Sequence, residues 1–181
     1  RQLTAGGPRL LARAKQLDTT PANLLASAFG YMLSRFSGSS RCLFGNIING
    51  RDATGSYDSF GMFSHIVPTC LDCSDRTVAD FVRSSSRTII DSITNQQCSF
   101  MDLSKRFGLE LDVLFNYLSG IDELKGVSGL TEGALAGQLI FNIVNNGDTF
   151  MLSYSNSEKF SVATVRRMAE SFDLIVTGIL E

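Results

Sequence analysis

The sequence has no tryptophan, a single histidine, three prolines and no excess of charge of either sign: 16 Lys and Arg face 18 Asp and Glu in 181 residues. Each shortage excludes something. A net charge of −2 and a pI near 5.4 leave no polyanion-neutralising surface, which argues against nucleic acid as a partner. With one imidazole, any histidine-based acid–base chemistry within the chain rests on His65. Four cysteines are too sparse for a disulfide framework and read as free thiols in a reducing cytosol. No apolar run approaches the roughly 20 residues that span a bilayer, so no membrane role is expected. The longest, Leu24 to Leu33, is interrupted by Ser27 and Gly30. The chain starts at Arg1 with no basic-then-apolar leader, so it reads as a piece of something longer, without a signal peptide. Gly45, Gly50, Gly126, Gly129 and Gly133 form neither G-x-G-x-x-G nor a Walker loop, which leaves nucleotide binding unsupported.

What is present is a globular composition, 44% apolar with 13 phenylalanines, enough to bury a core. Periodicity predicts a short amphipathic helix over 9–17. A second, largely buried helix spans 21–37, with Thr20 as cap, Pro21 in its first turn and Ser37-Gly38-Ser39-Ser40 ending it. Strands are expected at 41–48 and 62–71, the latter near an edge because it contains Pro68. Helices are expected at 76–94 and 99–107. Strands at 111–118, 137–145 and 148–155 follow, the last two joined by the hairpin turn Asn145-Asn146-Gly147-Asp148. Ser161 caps a closing helix, 161–180. The order α-α-β-β-α-α-β-β-β-α gives an α/β or α+β layer architecture, a mixed sheet covered by helices.

Three features could carry chemistry, and each has a plain structural reading. Cys70-x-x-Cys73 lacks the second cysteine pair of a structural zinc site and lies at a strand end, so neither a metal nor a redox role is assigned to it. His65 lies in a strand-like run with no nucleophile signature around it, which favours a hydrogen-bonded wall residue over a catalytic base. Arg76, Arg83 and Arg87 form a stripe on the 76–94 helix, opposite Val78, Phe81, Val82, Ile89 and Ile93. This is a solvated face or a docking surface for an acidic partner. Ser84-Ser85-Ser86 reads as solvated surface. No catalytic set is complete.

An ordered series of motifs carries a resemblance further. Thr20-Pro21, the apolar helix and Arg35-Phe36-Ser37-Gly38 lead into Cys42-Leu43-Phe44-Gly45-Asn46-Ile47-Ile48-Asn49-Gly50-Arg51. There follow Phe60-Gly61-Met62-Phe63-Ser64-His65-Ile66-Val67, then Asn95-Gln96-Gln97-Cys98-Ser99-Phe100, and a close through Tyr154, Phe160, Val165, Met168, Phe172 and Ile179. In order and spacing this resembles the C-terminal lobe of a condensation domain from a nonribosomal peptide synthetase. His65 stands where the family usually has Asn, Cys70 where an Arg often closes the second motif, and Ser99 in place of a Pro. The family's R-N-P-L stretch before residue 111 is shortened or missing. The family's H-H-x-x-x-D-G signature, which belongs to its N-terminal lobe, is absent.

The resemblance implies that residues 1–181 form a single chloramphenicol-acetyltransferase-like lobe, a two-layer sandwich. Its partners would be the N-terminal lobe of the same domain and carrier proteins. No cofactor would bind directly; phosphopantetheine would be presented by the carrier. The parent would form an amide from two carrier-bound thioesters in the cytoplasm. This lobe would supply tunnel wall and floor without a catalytic residue or a metal. Arg51, Gly61, His65, Asn95 and Phe100 would be its tunnel or structural residues, and Arg76, Arg83 and Arg87 its docking face. Arg51 would hold the loop to Ser59 through backbone carbonyls, and Gly61 would permit close backbone approach. The alternatives are a non-catalytic carrier-docking module and a lobe of an acyl-CoA-dependent acyltransferase. An excised lobe would also expose an apolar patch or self-associate.

Overall fold

Hydroxyl caps set where the helices begin. The Thr20 side chain accepts a hydrogen bond from the Asn23 amide at 3.1 Å, and Ser161 accepts from Thr164 at 3.1 Å. Each satisfies a backbone donor that has no partner inside its helix. In the computed structural model, which describes residues 1–51, 55–74, 77–98, 100–119, 138–155 and 158–181, the helices are α1 (Gly7–Gln16), α2 (Pro21–Ser37), α3 (Val78–Thr94), α4 (Phe100–Phe107) and α5 (Val162–Ile179). The strands are β1 (Arg41–Asn49), β2 (Ser64–Asp72), β3 (Val113–Ser119), β4 (Leu139–Asn145) and β5 (Phe150–Ser155). The element order is the expected one.

Boundaries differ where local chemistry intervenes. The strand expected from 62 starts at Ser64, the last residue in register with β1, opposite Asn49. The helix expected from 76 starts at Val78, because Thr77 accepts from the Asp80 amide at 3.2 Å and donates to its carboxylate at 2.7 Å. Arg76, Ser99 and residues 52–54 lie outside the described residues. Val78, placed on the apolar face by periodicity, sits in the exposed first turn. Ser85 and Ser86 are buried rather than solvated. Their small side chains let α3 approach α2, and Ser86 Oγ meets Thr19 Oγ1 at 2.5 Å.

The sheet runs β2-β1-β3-β4-β5. β1, β3 and β4 are parallel; β2 and β5 run antiparallel at the two sides. Pro68 therefore sits on an outer strand, where its missing N–H costs no ladder bond. Residues 1–3 run beside β5, with Leu3 N donating to Phe150 O at 2.8 Å. They are anchored by buried Asp173, which accepts from Arg1 and twice from Thr4, each at 2.8 Å.

Side-chain alternation separates the two faces. Phe44, Phe115, Phe141, Leu139 and Leu152 face α1, α2, α3 and α5 in one core. Leu114 and Ile140 face the other way, where Leu111 and Phe100 at the start of α4 pack on them. The α2 residues Leu24 to Gly30 are all buried, so that stretch of the helix is enclosed on every side, while Tyr31 and the last turn from Arg35 are exposed. At its centre the Phe29 ring lies 5.3 Å from Phe44, 5.2 Å from Phe115, 5.2 Å from Phe141 and 6.5 Å from Phe172.

Removing that ring leaves a cavity facing three strands. Phe29→Ala should cost about 3–5 kcal/mol in urea unfolding. Phe36→Ala, on the exposed side of the same helix, should cost under about 1 kcal/mol.

Candidate functional site

Three parallel strands bring the ends of β1, β3 and β4 to one edge of the sheet, the usual position for ligands in sheets of this kind. Asn46 and Asn142 are buried there. Asn116 donates to Asn142 at 2.9 Å across the β3–β4 register, and Asn145 donates to the Tyr117 hydroxyl at 2.9 Å. Because Asn145 donates, the Tyr117 oxygen keeps its own proton to offer. Burial pushes the Tyr117 phenol above its ordinary value, and the Asn145 bond partly offsets this. The phenol therefore stays a protonated donor at neutral pH.

Two pockets adjoin at this edge and share Ile47 and Gln96. One, of about 290 Å³, lies between the start of α2 and the ends of β1 and β3, with Asn46, Phe115 and Tyr117 in its lining. The other, of about 640 Å³, is walled by Ile47, Ile66, Ile140, Phe100, Met62 and Met101, with Ser64, His65, Gln96 and Gln97 as its polar members. Among the described residues neither lining contains a carboxylate or a cysteine.

His65 occupies the second pocket in a defined tautomer. Its Nδ1 lies 3.1 Å from the Phe63 carbonyl, which can only accept, so Nδ1 carries a proton, and in the neutral ring Nε2 presents a lone pair. That Nε2 is buried without a partner, and so is Gln96 Oε1. Two orphaned acceptors beside an apolar wall are costly unless an N–H or O–H donor enters. The ring is seated by Gly50, where an added Cβ would lie 3.0 Å from His65 Nδ1 and 2.5 Å from Phe63 O.

The loop beyond β1 is organised by Arg51. Its guanidinium donates to the carbonyls of Ser56 (2.7 Å), Ser59 (2.6 Å) and Gly61 (3.1 Å), and stands 4.3 Å over the Phe63 ring. Gly61 has φ +154°, a conformation closed to other residues, while a Cβ there would meet only the Phe63 ring at 3.4 Å. Its requirement is conformational, and the close backbone approach expected of it is not what the geometry demands.

The remaining candidates separate. Asn95 is exposed and donates to Asp91 O at 2.8 Å, closing α3 instead of entering a pocket. Phe100 is half-buried in the pocket wall. Arg83 and Arg87 are exposed on α3, with Asp80 and Asp91 at helical spacing on either side of them. Cys70 is exposed, whereas Cys73 turns toward Cys42, so the C-x-x-C pair does not act as one unit.

Sequence reasoning missed Gln96, Asn46, Tyr117 and the Asn116–Asn142 pair. A usable signal was there: Phe115-Asn116 and Phe141-Asn142 repeat one dipeptide on two strands, and Phe44-Gly45-Asn46 echoes it. Large apolar side chains stand exposed around the larger pocket and its loop, among them Tyr57, Phe60, Met62, Met101 and Phe107.

The sequence model of the Condensation domain family matches residues 8–128. The chain is 31% identical over 93 residues to the phosphinothricin tripeptide synthetase PhsB of Streptomyces viridochromogenes, covering 51% of this chain and 8% of that protein. It is 29% identical over 94 residues to bacitracin synthase 1 of Bacillus licheniformis, covering 51% of this chain and 2% of that protein. The condensation domain of the Monacolin K polyketide synthase MokA has the same fold, with a TM-score of 0.80 at 15% identity. That match covers 99% of this chain and 47% of the other. The chain thus spans less than half of that structure and a small fraction of the two synthetases. Among the described residues no helix is long and apolar enough to cross a membrane.

Arg51→Met should leave global stability nearly unchanged while speeding amide hydrogen exchange over residues 55–61 by about ten-fold or more. Arg51→Lys should restore little of the protection, since an ammonium cannot reproduce the planar fork. Unchanged exchange in Arg51→Met would show that the loop holds without the guanidinium.

Proposed function

We propose, from the premise that this chain belongs to the condensation-domain family, that it is the C-terminal lobe of such a domain and forms one wall of its reaction channel. In the reaction an acceptor amine attacks a donor thioester carbonyl. The N–C bond forms, the C–S bond breaks, and the sulfur leaves as a thiol with the proton the amine gives up. Both reactants would arrive tethered to carrier proteins, so the channel's work is alignment and exclusion of water.

The observation that carries this reading is the pair of orphaned acceptors, His65 Nε2 and Gln96 Oε1, in a pocket walled by Ile47, Ile66 and Ile140. A pantetheine arm offers amide N–H donors on a flexible, largely apolar stem, which fits that lining. His65 would accept a hydrogen bond and orient the arm. Among the described lining residues there is no carboxylate or cysteine, and neither His65 ring nitrogen is bonded to the Ser64 hydroxyl, which argues against a catalytic dyad or triad around it. The absence of H-H-x-x-x-D-G from the sequence supports assigning proton handling to the other lobe. The exposed Phe60, Met62 and Met101 suit a face that the other lobe covers. On this reading phosphopantetheine enters with the carrier and is not held by this lobe alone.

The 181 residues alone should give no amide from carrier-bound donor and acceptor thioesters. Joined to the N-terminal lobe, roughly 200 residues by the size of such a unit, they should turn over. There, His65→Leu should lower kcat/KM about 3–10-fold, the worth of one hydrogen bond, and His65→Asn less. Turnover by this chain alone, abolished in His65→Ala, would overturn the assignment.

Carrier docking is assigned to the exposed face of α3 around Arg83 and Arg87, where Asp80 and Asp91 temper the field. Carrier affinity should fall about three-fold or more in Arg83→Glu and should weaken with added salt. Equal affinity under all these conditions would remove α3 from the docking surface.

A further inference from the structure

Cys42 and Cys73 are 31 residues apart in sequence, yet their sulfurs lie 3.8 Å from each other. The β1–β2 ladder brings them together. Cys42 stands opposite Leu71, and Cys73 N donates to Ser40 O at 2.6 Å, so the two are diagonal neighbours on one side of the strand pair. Their surroundings are unequal. Cys42 is buried, while Cys73 is half-buried in the wall of a pocket of about 340 Å³ that also includes Tyr31, Arg35, Phe81 and Ile175. The Cys42 thiol donates to Cys73, and with help from the Ser34 hydroxyl it holds the Cys73 thiol below its usual range. The same bond and burial push Cys42 up. One sulfur is thus an accessible nucleophile and the other a shielded thiol within reach of it.

We propose that Cys73 is an oxidation site for hydrogen peroxide, resolved by Cys42 as an intramolecular disulfide. The Cys73 thiolate attacks one peroxide oxygen; the O–O bond breaks, hydroxide leaves, and a sulfenic acid forms. The Cys42 thiol then attacks the Cys73 sulfur, the S–O bond breaks, and water leaves. Two thiols and one peroxide give one disulfide and two waters. The sulfurs must close by about 1.8 Å to reach a bond length near 2.05 Å. Cys73 lies one residue past the end of β2, where its single backbone bond to Ser40 ends the pairing with β1. The pair stands at the far end of the ladder from His65, roughly 20–26 Å away at about 3.3 Å per residue, so this chemistry is independent of the channel.

The test treats the full chain with hydrogen peroxide, blocks remaining thiols with iodoacetamide and maps the peptides. Free thiols should fall from four to two, with one Cys42–Cys73 linked peptide, with Cys70 and Cys98 alkylated, and with dithiothreitol reversing the loss. Cys70→Ser should leave the link intact. In Cys73→Ser, at a position that is not part of the closed core, Cys42 should stay reduced. A Cys70–Cys73 link, an intermolecular link in place of the internal one, or a Cys42 that remains free in the peroxide-treated chain would each overturn the proposal.

Discussion

The contact of Phe29 with four other aromatic rings joins the two layers of this fold. One side chain from the middle of α2 touches β1, β3, β4 and α5 through Phe44, Phe115, Phe141 and Phe172. Those partners occupy one parity of their strands, and strand parity leaves no choice about the next residue. With Phe115 opposite Phe141 and both facing the helices, Asn116 and Asn142 must meet on the other face, as they do. The aromatic hub therefore selects which strand side chains face the helices and which face the opposite side. A slip of one residue would bury the asparagines against Phe29 and expose the rings.

The second face gains its shape from an absence of side chain. At Gly45 a Cβ would lie 2.4 Å from Leu114 and 2.6 Å from Ile66. The neighbours of β1 close over that position, and the apolar wall made by Ile47, Ile66 and Ile140 is continuous because of it. Around this wall the polar groups divide by kind. His65 and Gln96 offer lone pairs beside the wall, while Tyr117 offers a proton in the adjoining pocket on the helix side, whose lining Gln96 shares. Such a lining can grip and orient an amide-bearing chain, and the one hydroxyl beside its imidazole, that of Ser64, is not hydrogen-bonded to the ring. That division is the physical argument for a channel wall, separate from any likeness to known domains.

Element order and type were legible in the sequence because each rests on local rules: a hydroxyl before a helix, a Gly after it, a two- or 3.6-residue period between. Thr20, Gly38, Ser161 and Pro68 each did locally what their chemistry dictates. What was not legible depends on packing between elements. Ser85 and Ser86 look like solvent residues in a helix, and only the closeness of α3 to α2 buries them. Asn95 and Gln96 are adjacent amides in one motif, and the turn after α3 sends Asn95 back to its own helix and Gln96 into the pocket. The orientation of His65 was out of reach for the same reason, because the carbonyl that sets its tautomer is held by the Arg51 loop and by Gly50.

On the two proposals above, the β1–β2 ladder would serve two unrelated purposes. Its middle is locked: Pro68 sits opposite Gly45, the glycine has no room for a side chain, and Val67 and Thr69 are buried. Neither end is locked in that way. At one, Ser64 closes the register and the Arg51 loop begins; at the other, Cys73 has just left it. His65, the second residue of β2, and Cys73, the residue just past its end, lie near those two ends. The rigid centre keeps a change at one end from shifting the other. Within one hairpin, then, the interior supplies register, and both proposed sites fall toward its ends.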